Sequence, residues 1–274
     1  FANPTIHELC NNIIKLSPIG KLNSITVGIP IFLIHPAGGF VNILSTLASK
    51  CLNHPVYGVQ QISNDHTTIN DFVTEYLPFI LEFDEPSYIL GGYSFGVPIC
   101  WELAQCLSKL GKSVREIILL DSGPRLVELQ LKNINYEKFI CDSIIKLGKQ
   151  YLSSSDKDKL KLFTHMPLLK EVFGDNCLEL DNTNLERNMN EVVKNLFQGD
   201  KNNSILQTYC NIIISNMKSI PNIMQKYSGY EKLLNIEITV FKTNEWEFDI
   251  SKVDNNIYNE IIVSKDHENM IVSS

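Results

Sequence analysis

Short apolar runs at 30–35, 56–59, 88–93, 116–121, 236–241 and 258–263 set the strongest limit on how this chain can fold. Each run is too short for a helix, and the first four are nearly continuous rather than alternating. Strands of that kind are covered on both faces, as in a parallel sheet flanked by helices. The stretches between the first four carry helical periodicity. Helices are expected over about 40–52, 68–82 and 95–110. In the last of these, Cys100, Leu103, Ala104 and Leu107 share one face, and Gly111 supplies a stop. Strand–helix alternation of this sort predicts an α/β fold with a mostly parallel central sheet. The rhythm breaks between Pro124 and Lys232, a span rich in Lys, Asn and Leu. At roughly 110 residues it is far too long for a plain loop, so it is expected to be a helical lid, about 125–232, over the carboxyl ends of the strands.

The front of the chain reads differently. Residues 1–18 predict one helix, with Pro4 in its first turn and Ile6, Leu9, Cys10 and Ile13 on one face. Pro18 and Gly20 end it, and a linker is expected to run on to 27, leaving 28–274 as the main domain. The first residue is Phe1 rather than Met, as expected of a piece of a longer polypeptide. No basic segment followed by an apolar run opens the chain, and no run of 18 apolar residues occurs. Neither a signal peptide nor stable membrane insertion is therefore expected.

Composition removes several function classes. The 274 residues are 44% hydrophobic and 20% charged, which supports a buried core. A net charge of -7 lacks the basic footprint that nucleic-acid binding requires. The seven cysteines are odd in number, irregularly spaced and without a C-x-x-C pair, which predicts reduced thiols in a cytoplasmic protein. No metal-ligand spacing is present, so neither a metal nor a bound cofactor is expected.

The chemistry concentrates at Gly92-Tyr93-Ser94-Phe95-Gly96, a G-x-S-x-G sequence after an apolar strand and before an amphipathic helix. That context is a nucleophile elbow, a tight turn that lifts the serine hydroxyl above the sheet. The hydroxyl needs a base to take its proton. Of six histidines, only His267 follows the last strand late in the chain, in the order Ser, acid, His. The acid, which orients the imidazole without taking its proton, has two candidate places. Asp121 ends the strand after the nucleophile helix, whereas Glu245 and Asp249 follow the next strand. An oxyanion needs preorganised N–H donors. The expected pair is the backbone of Phe95 and, in the loop His35-Pro36-Ala37-Gly38-Gly39, the backbone of Ala37, because Pro36 has no N–H. His35 is read as a brace for that loop rather than a second base.

At these residues the chain resembles the thioesterase domains of fatty acid synthases, polyketide synthases and nonribosomal peptide synthetases. The resemblance runs through 32–39, 57–60, 91–96, 101–104, 117–121 and Asp266-His267, and covers the core at about 28–124 and 234–272. It implies an α/β-hydrolase fold and a substrate held as a thioester on the phosphopantetheine of an acyl carrier domain in the same parent polypeptide. It also places the acid at Asp121 rather than Glu245. The tail from Asp249 to His267 and the His-Pro loop look most like animal-type fatty acid synthase thioesterases, which implies release of a long-chain fatty acid. The helix containing Asn3-Pro4-Thr5-Ile6 resembles the last helix of a carrier domain. Rival expectations are a cyclising or peptide- or polyketide-releasing thioesterase, a free-standing esterase or lipase, and an inactive hydrolase serving as a binding module.

Overall fold

In the computed structural model, which describes residues 17–122, 203–227, 236–243 and 258–264, the run Ile31–Ile34 forms a strand, β2, with every residue buried. The chain divides into two compact units, Phe1–Lys15 with Ile134–Lys218, and Leu16–Asn133 with Ser219–Ser274. All the strands belong to the second. They are β1 (Ile19–Lys21), β2, β3 (Val56–Val59), β4 (Ser87–Tyr93), β5 (Ser113–Leu120), β6 (Glu237–Thr243) and β7 (Tyr258–Ser264). One seven-stranded sheet results, in the order β1-β3-β2-β4-β5-β6-β7. Every pairing is parallel except β1 with β3.

Burial on both faces explains why β2, β3 and β4 read as continuous apolar runs, whereas residues 259–263 of β7 are exposed. On one face Leu33, Ile89 and Tyr93 pack with Val41, Leu44 and Ala48. On the other, Phe32 meets Phe83 edge-on at 4.9 Å and stacks on Tyr57 at 5.5 Å. The helices that supply these layers are α1 (Ser45–Lys50), α2 (Ile69–Leu81) and α3 (Gly96–Lys109); α4 (Asn203–Lys226) comes later in the chain. At the start of α2, the Thr68 hydroxyl accepts from the Asp71 N–H, and the Asp71 carboxylate accepts from the Thr68 N–H, a reciprocal cap that satisfies two orphan donors. α3 ends as its glycine suggested. Gly111 has a φ of 74°, its N–H donates to the Ser108 carbonyl, and that of Lys112 donates to Leu107.

Two expectations are corrected. Residues 19–21 are not linker but the antiparallel edge strand β1, so the sheet begins before residue 28. Three mostly exposed residues carry no periodicity that a sequence pattern could register. The helix expected over 40–52 is a 3₁₀ turn at Asn42–Leu44 followed by the six-residue α1. No side chain caps its start, and the chain turns extended at Cys51. The leading helix at 1–16 and the lid from 125 to 202 lie outside the described residues. Within the lid's expected span, 203–226 forms one helix of 24 residues. No helix among the described residues is long and apolar enough to cross a membrane.

The strand order also places a crevice. The chain leaves β2 for β3 on one side, then crosses back to β4 on the other. The loops after β2 and β4 therefore diverge at a topological switch point, where parallel sheets open a crevice at their carboxyl edge.

Candidate active site

The chain turns from β4 into α3 through Ser94, whose φ is 54°. A left-handed backbone at a non-glycine residue is costly, and it persists only where the surroundings enforce it. Two close approaches enforce it here. A Cβ on Gly92 would lie 2.6 Å from the Gly96 carbonyl oxygen and 2.7 Å from the Cα of Val97. A Cβ on Gly96 would lie 2.6 Å from the carbonyl oxygens of both Ile34 and His35. The two glycines of G-x-S-x-G thus let the strand fold back on its helix and let the helix sit on the end of β2. Between Tyr88 and Trp101, Ser94 alone is not buried. Its carbonyl receives the Val97 N–H at 3.0 Å, and its own N–H donates to Leu120 at 3.2 Å.

That last bond joins Ser94 to the second sequence candidate. Asp121 follows Leu120 with a φ of 45° and is 1% exposed. Its N–H donates to the Phe241 carbonyl at 2.7 Å, and its Oδ1 accepts the Thr243 N–H at 2.9 Å. The end of β6 therefore fixes both the backbone and the carboxylate of Asp121. Two left-handed residues, one a serine and one an aspartate, stand at the ends of neighbouring parallel strands. Thr243 was not foreseen, because its partner lies 122 residues away in sequence and its contribution is a main-chain N–H.

The loop after β2 closes a turn in which the Gly39 N–H donates to the Pro36 carbonyl at 2.9 Å. The Gln61 N–H at the end of β3 holds the Gly39 carbonyl at 2.8 Å. β2 and β4 are neighbours in register, Ile34 opposite Gly92. Ala37 in this turn and Phe95 at the start of α3 are therefore brought to adjoining strand ends. His267, Glu245 and Asp249 lie outside the described residues.

His35 is fully buried and does not face the crevice as a base would. Its Nδ1 meets the Pro36 carbonyl at 2.7 Å, and its Nε2 meets the Tyr76 hydroxyl at 2.8 Å. Burial pushes its imidazole down to about 4, against a partial upward pull from the Pro36 carbonyl and a further lowering from His66. Burial likewise raises the Tyr76 phenol well above its ordinary value. Beneath this pair, His66 stacks on Phe72 at 3.9 Å and its Nε2 lies 3.2 Å from Glu75 Oε2. Tyr76 and the His66–Glu75 contact escaped the sequence reading, since helical spacing shows only that a face is apolar.

A pH dependence arises from His35. Its folded-state value lies below the unfolded one of 6.5, so the unfolded chain binds the extra proton. Stability is therefore expected to fall as pH drops from 6.5 towards 4, by about 3 kcal/mol for a shift of this size. Urea unfolding across that window, compared with His35→Asn, measures it. His66 and Tyr76 face His35, Glu75 acts on those two rather than on His35 directly, and all three are common to both proteins. An equal slope in the two would mean that His35 is not the group responsible.

Comparison with known proteins gives the family and the fold. Residues 29–174, more than half of the chain, match the family model described as a thioesterase domain. The nonribosomal peptide synthetase pngA of Aspergillus terreus is 31% identical over an alignment of 156 positions that covers 51% of this chain and 16% of that protein. Among solved structures, the four-domain nonribosomal peptide synthetase holo-AB3403 is similar with a TM-score of 0.61 at 19% identity, covering 95% of this chain and 20% of that one. The thioesterase domain SrfTE, described for cyclization of the lipopeptide antibiotic surfactin, gives 0.52 at 15% identity, covering 93% of this chain and 89% of that domain. The structural likeness gives the α/β-hydrolase fold, and the family match gives the rest: this chain belongs to the thioesterase domain family.

Proposed function

We propose that this domain releases an acyl chain from the phosphopantetheine of a carrier domain in the same parent polypeptide, through an acyl-Ser94 intermediate. The observation that carries the reading is Ser94 itself, uncovered at a left-handed strand–helix turn and tied through Leu120 to the buried Asp121. Ser94 Oγ attacks the thioester carbonyl while His267 takes its proton. The oxyanion is held by the N–H groups of Phe95 and Ala37. The tetrahedral intermediate expels the pantetheine sulfur, which leaves with the proton from His267. Water, deprotonated by the same imidazole, then cleaves the acyl-serine. Asp121 orients His267 throughout. β7 ends at Ser264, parallel to β4 and β5 and opening on the same sheet edge, which supports a role for the His267 that comes three residues later. Ser94 needs no cofactor for this chemistry.

The acyl group is read as a peptide- or polyketide-type chain, because pngA, one of several relatives, is a nonribosomal peptide synthetase. Release of a long-chain fatty acid is the second reading, carried by the likeness of the tail from Asp249 to His267. The reading places the domain in the cytoplasm; among the described residues the thiols of Cys51, Cys100 and Cys106 are free, and burial raises that of Cys100, which makes it a poor nucleophile.

Pantetheine thioesters of peptidyl, aromatic β-keto and long-chain acyl groups, set beside simple esters, test the reading. The expected result is turnover of pantetheine thioesters, fastest with peptidyl or β-keto acyl groups. Mass analysis of the product separates free acid from ring closure. Fastest turnover of long saturated chains would move the assignment to fatty acid release. Turnover of simple esters alone would make this a free-standing esterase, and an unreactive Ser94 would leave only a binding module.

A further inference from the structure

The turn after β2 offers one peptide plane with two ends. The Pro36–Ala37 bond is trans, so the Pro36 carbonyl and the Ala37 N–H point in opposite directions. The carbonyl end is held twice, by the Gly39 N–H at 2.9 Å and by His35 Nδ1 at 2.7 Å. A carbonyl can only accept, so Nδ1 must carry the proton. The other ring nitrogen then has to accept, and the Tyr76 hydroxyl lies 2.8 Å from it. Burial keeps the imidazole neutral and the phenol protonated at ordinary pH, which leaves the single ring proton on Nδ1.

We propose that His35 and Tyr76 are the positioning pair of the oxyanion hole. Tyr76 on α2 sets the tautomer of His35, His35 anchors the Pro36 carbonyl, and the anchored peptide presents the Ala37 N–H towards the crevice beside Ser94. Neither side chain touches the substrate. The inference rests on the reading of Ser94 as nucleophile and Ala37 as oxyanion donor. It adds to that reading the means by which the donor is preorganised, which is what makes such donors effective. The surroundings suit a rigid device. His35 packs among the rings of Phe72, Tyr76 and Phe95, and Phe95 is the residue expected to give the second donor. The Gly96 helix start rests on the His35 carbonyl, so a displaced His35 would disturb both donors at once.

The test uses the whole 274-residue chain and one pantetheine thioester that the wild type hydrolyses. The asparagine side chain places an N–H donor at the position of Nδ1, whereas leucine fills the space without a donor. His35→Leu is expected to lower kcat by about 10²-fold with KM changed little, the size of losing one oxyanion donor. His35→Asn is expected to recover most of that loss. Tyr76→Phe keeps the ring and the packing, and is expected to lower kcat several-fold. It should add nothing when combined with His35→Asn, whose donor needs no tautomer. Thermal midpoints are read alongside. If His35→Leu does not fold, the Tyr76→Phe and His35→Asn cycle still decides. Equal losses in the asparagine and leucine variants, a full Tyr76→Phe effect on top of His35→Asn, or losses confined to KM would each overturn the positioning role. Failure of the active-site reading has a different signature, a Ser94→Ala variant as active as the wild type.

Discussion

Ser94→Ala is expected to abolish thioester turnover and acyl-enzyme formation together, by at least about 10⁴-fold, with the fold retained. A fluorophosphonate that labels the wild type should add no mass to the variant. The same position gives a second, independent result. At a φ of 54° a side chain with a Cβ bears the cost of the left-handed region, whereas glycine does not. Ser94→Gly is therefore expected to be equally inactive yet more stable than Ser94→Ala by about 1 kcal/mol, the strain relieved less the extra freedom of glycine in the unfolded chain. Urea unfolding of the two variants measures the difference. An alanine variant that still turns over thioester would place the nucleophile elsewhere. A glycine variant less stable than the alanine one would mean that the elbow holds no strain, and that the turn is shaped for some other reason.

That strain marks the border of what the sequence could show. The runs that became β2, β3 and β4 were legible because burial on both faces writes a continuous apolar signal, β7 was legible only through its apolar residues, since Ile261, Ile262 and Val263 are exposed, and Gly92 and Gly96 were legible because a tight strand–helix turn excludes a Cβ at those offsets. β1 was not, since its three residues gain their place only by pairing Ile19 with Val59 across the edge of the sheet. His35 was read as a loop brace from its position, but its partner Tyr76 lies 41 residues further on, and no local pattern links the two. The grip of Thr243 on Asp121 is a main-chain contact between strands far apart in sequence. A pattern of side chains reports which face is buried. It says nothing of which main-chain N–H meets which carboxylate, and the site is assembled from such pairings.

The choice of acid gives the other large effect. Asp121→Asn is expected to lower kcat by about 10⁴-fold, because an amide favours the wrong imidazole tautomer and cannot stabilise the imidazolium. The structure predicts that this loss comes with little change in stability. Asparagine tolerates the left-handed backbone, here a φ of 45°, and its amide oxygen can still accept the Thr243 N–H. Asp121→Ala should differ. It leaves the buried Thr243 N–H without its acceptor and places an alanine in a strained conformation, for a stability loss of about 1–3 kcal/mol beside the same loss of activity. Measuring kcat and the urea midpoint for both variants separates catalysis from support. If Asp121→Asn stays within tenfold of wild type, Asp121 is a structural aspartate closing the β5–β6 edge, and the acid is Glu245 or Asp249. Glu245→Gln and Asp249→Asn would then show which. If both Asp121 variants are equally unstable, the carboxylate holds the strand ends in place, and its effect on rate would have to be measured below the unfolding transition before any catalytic share could be assigned to it.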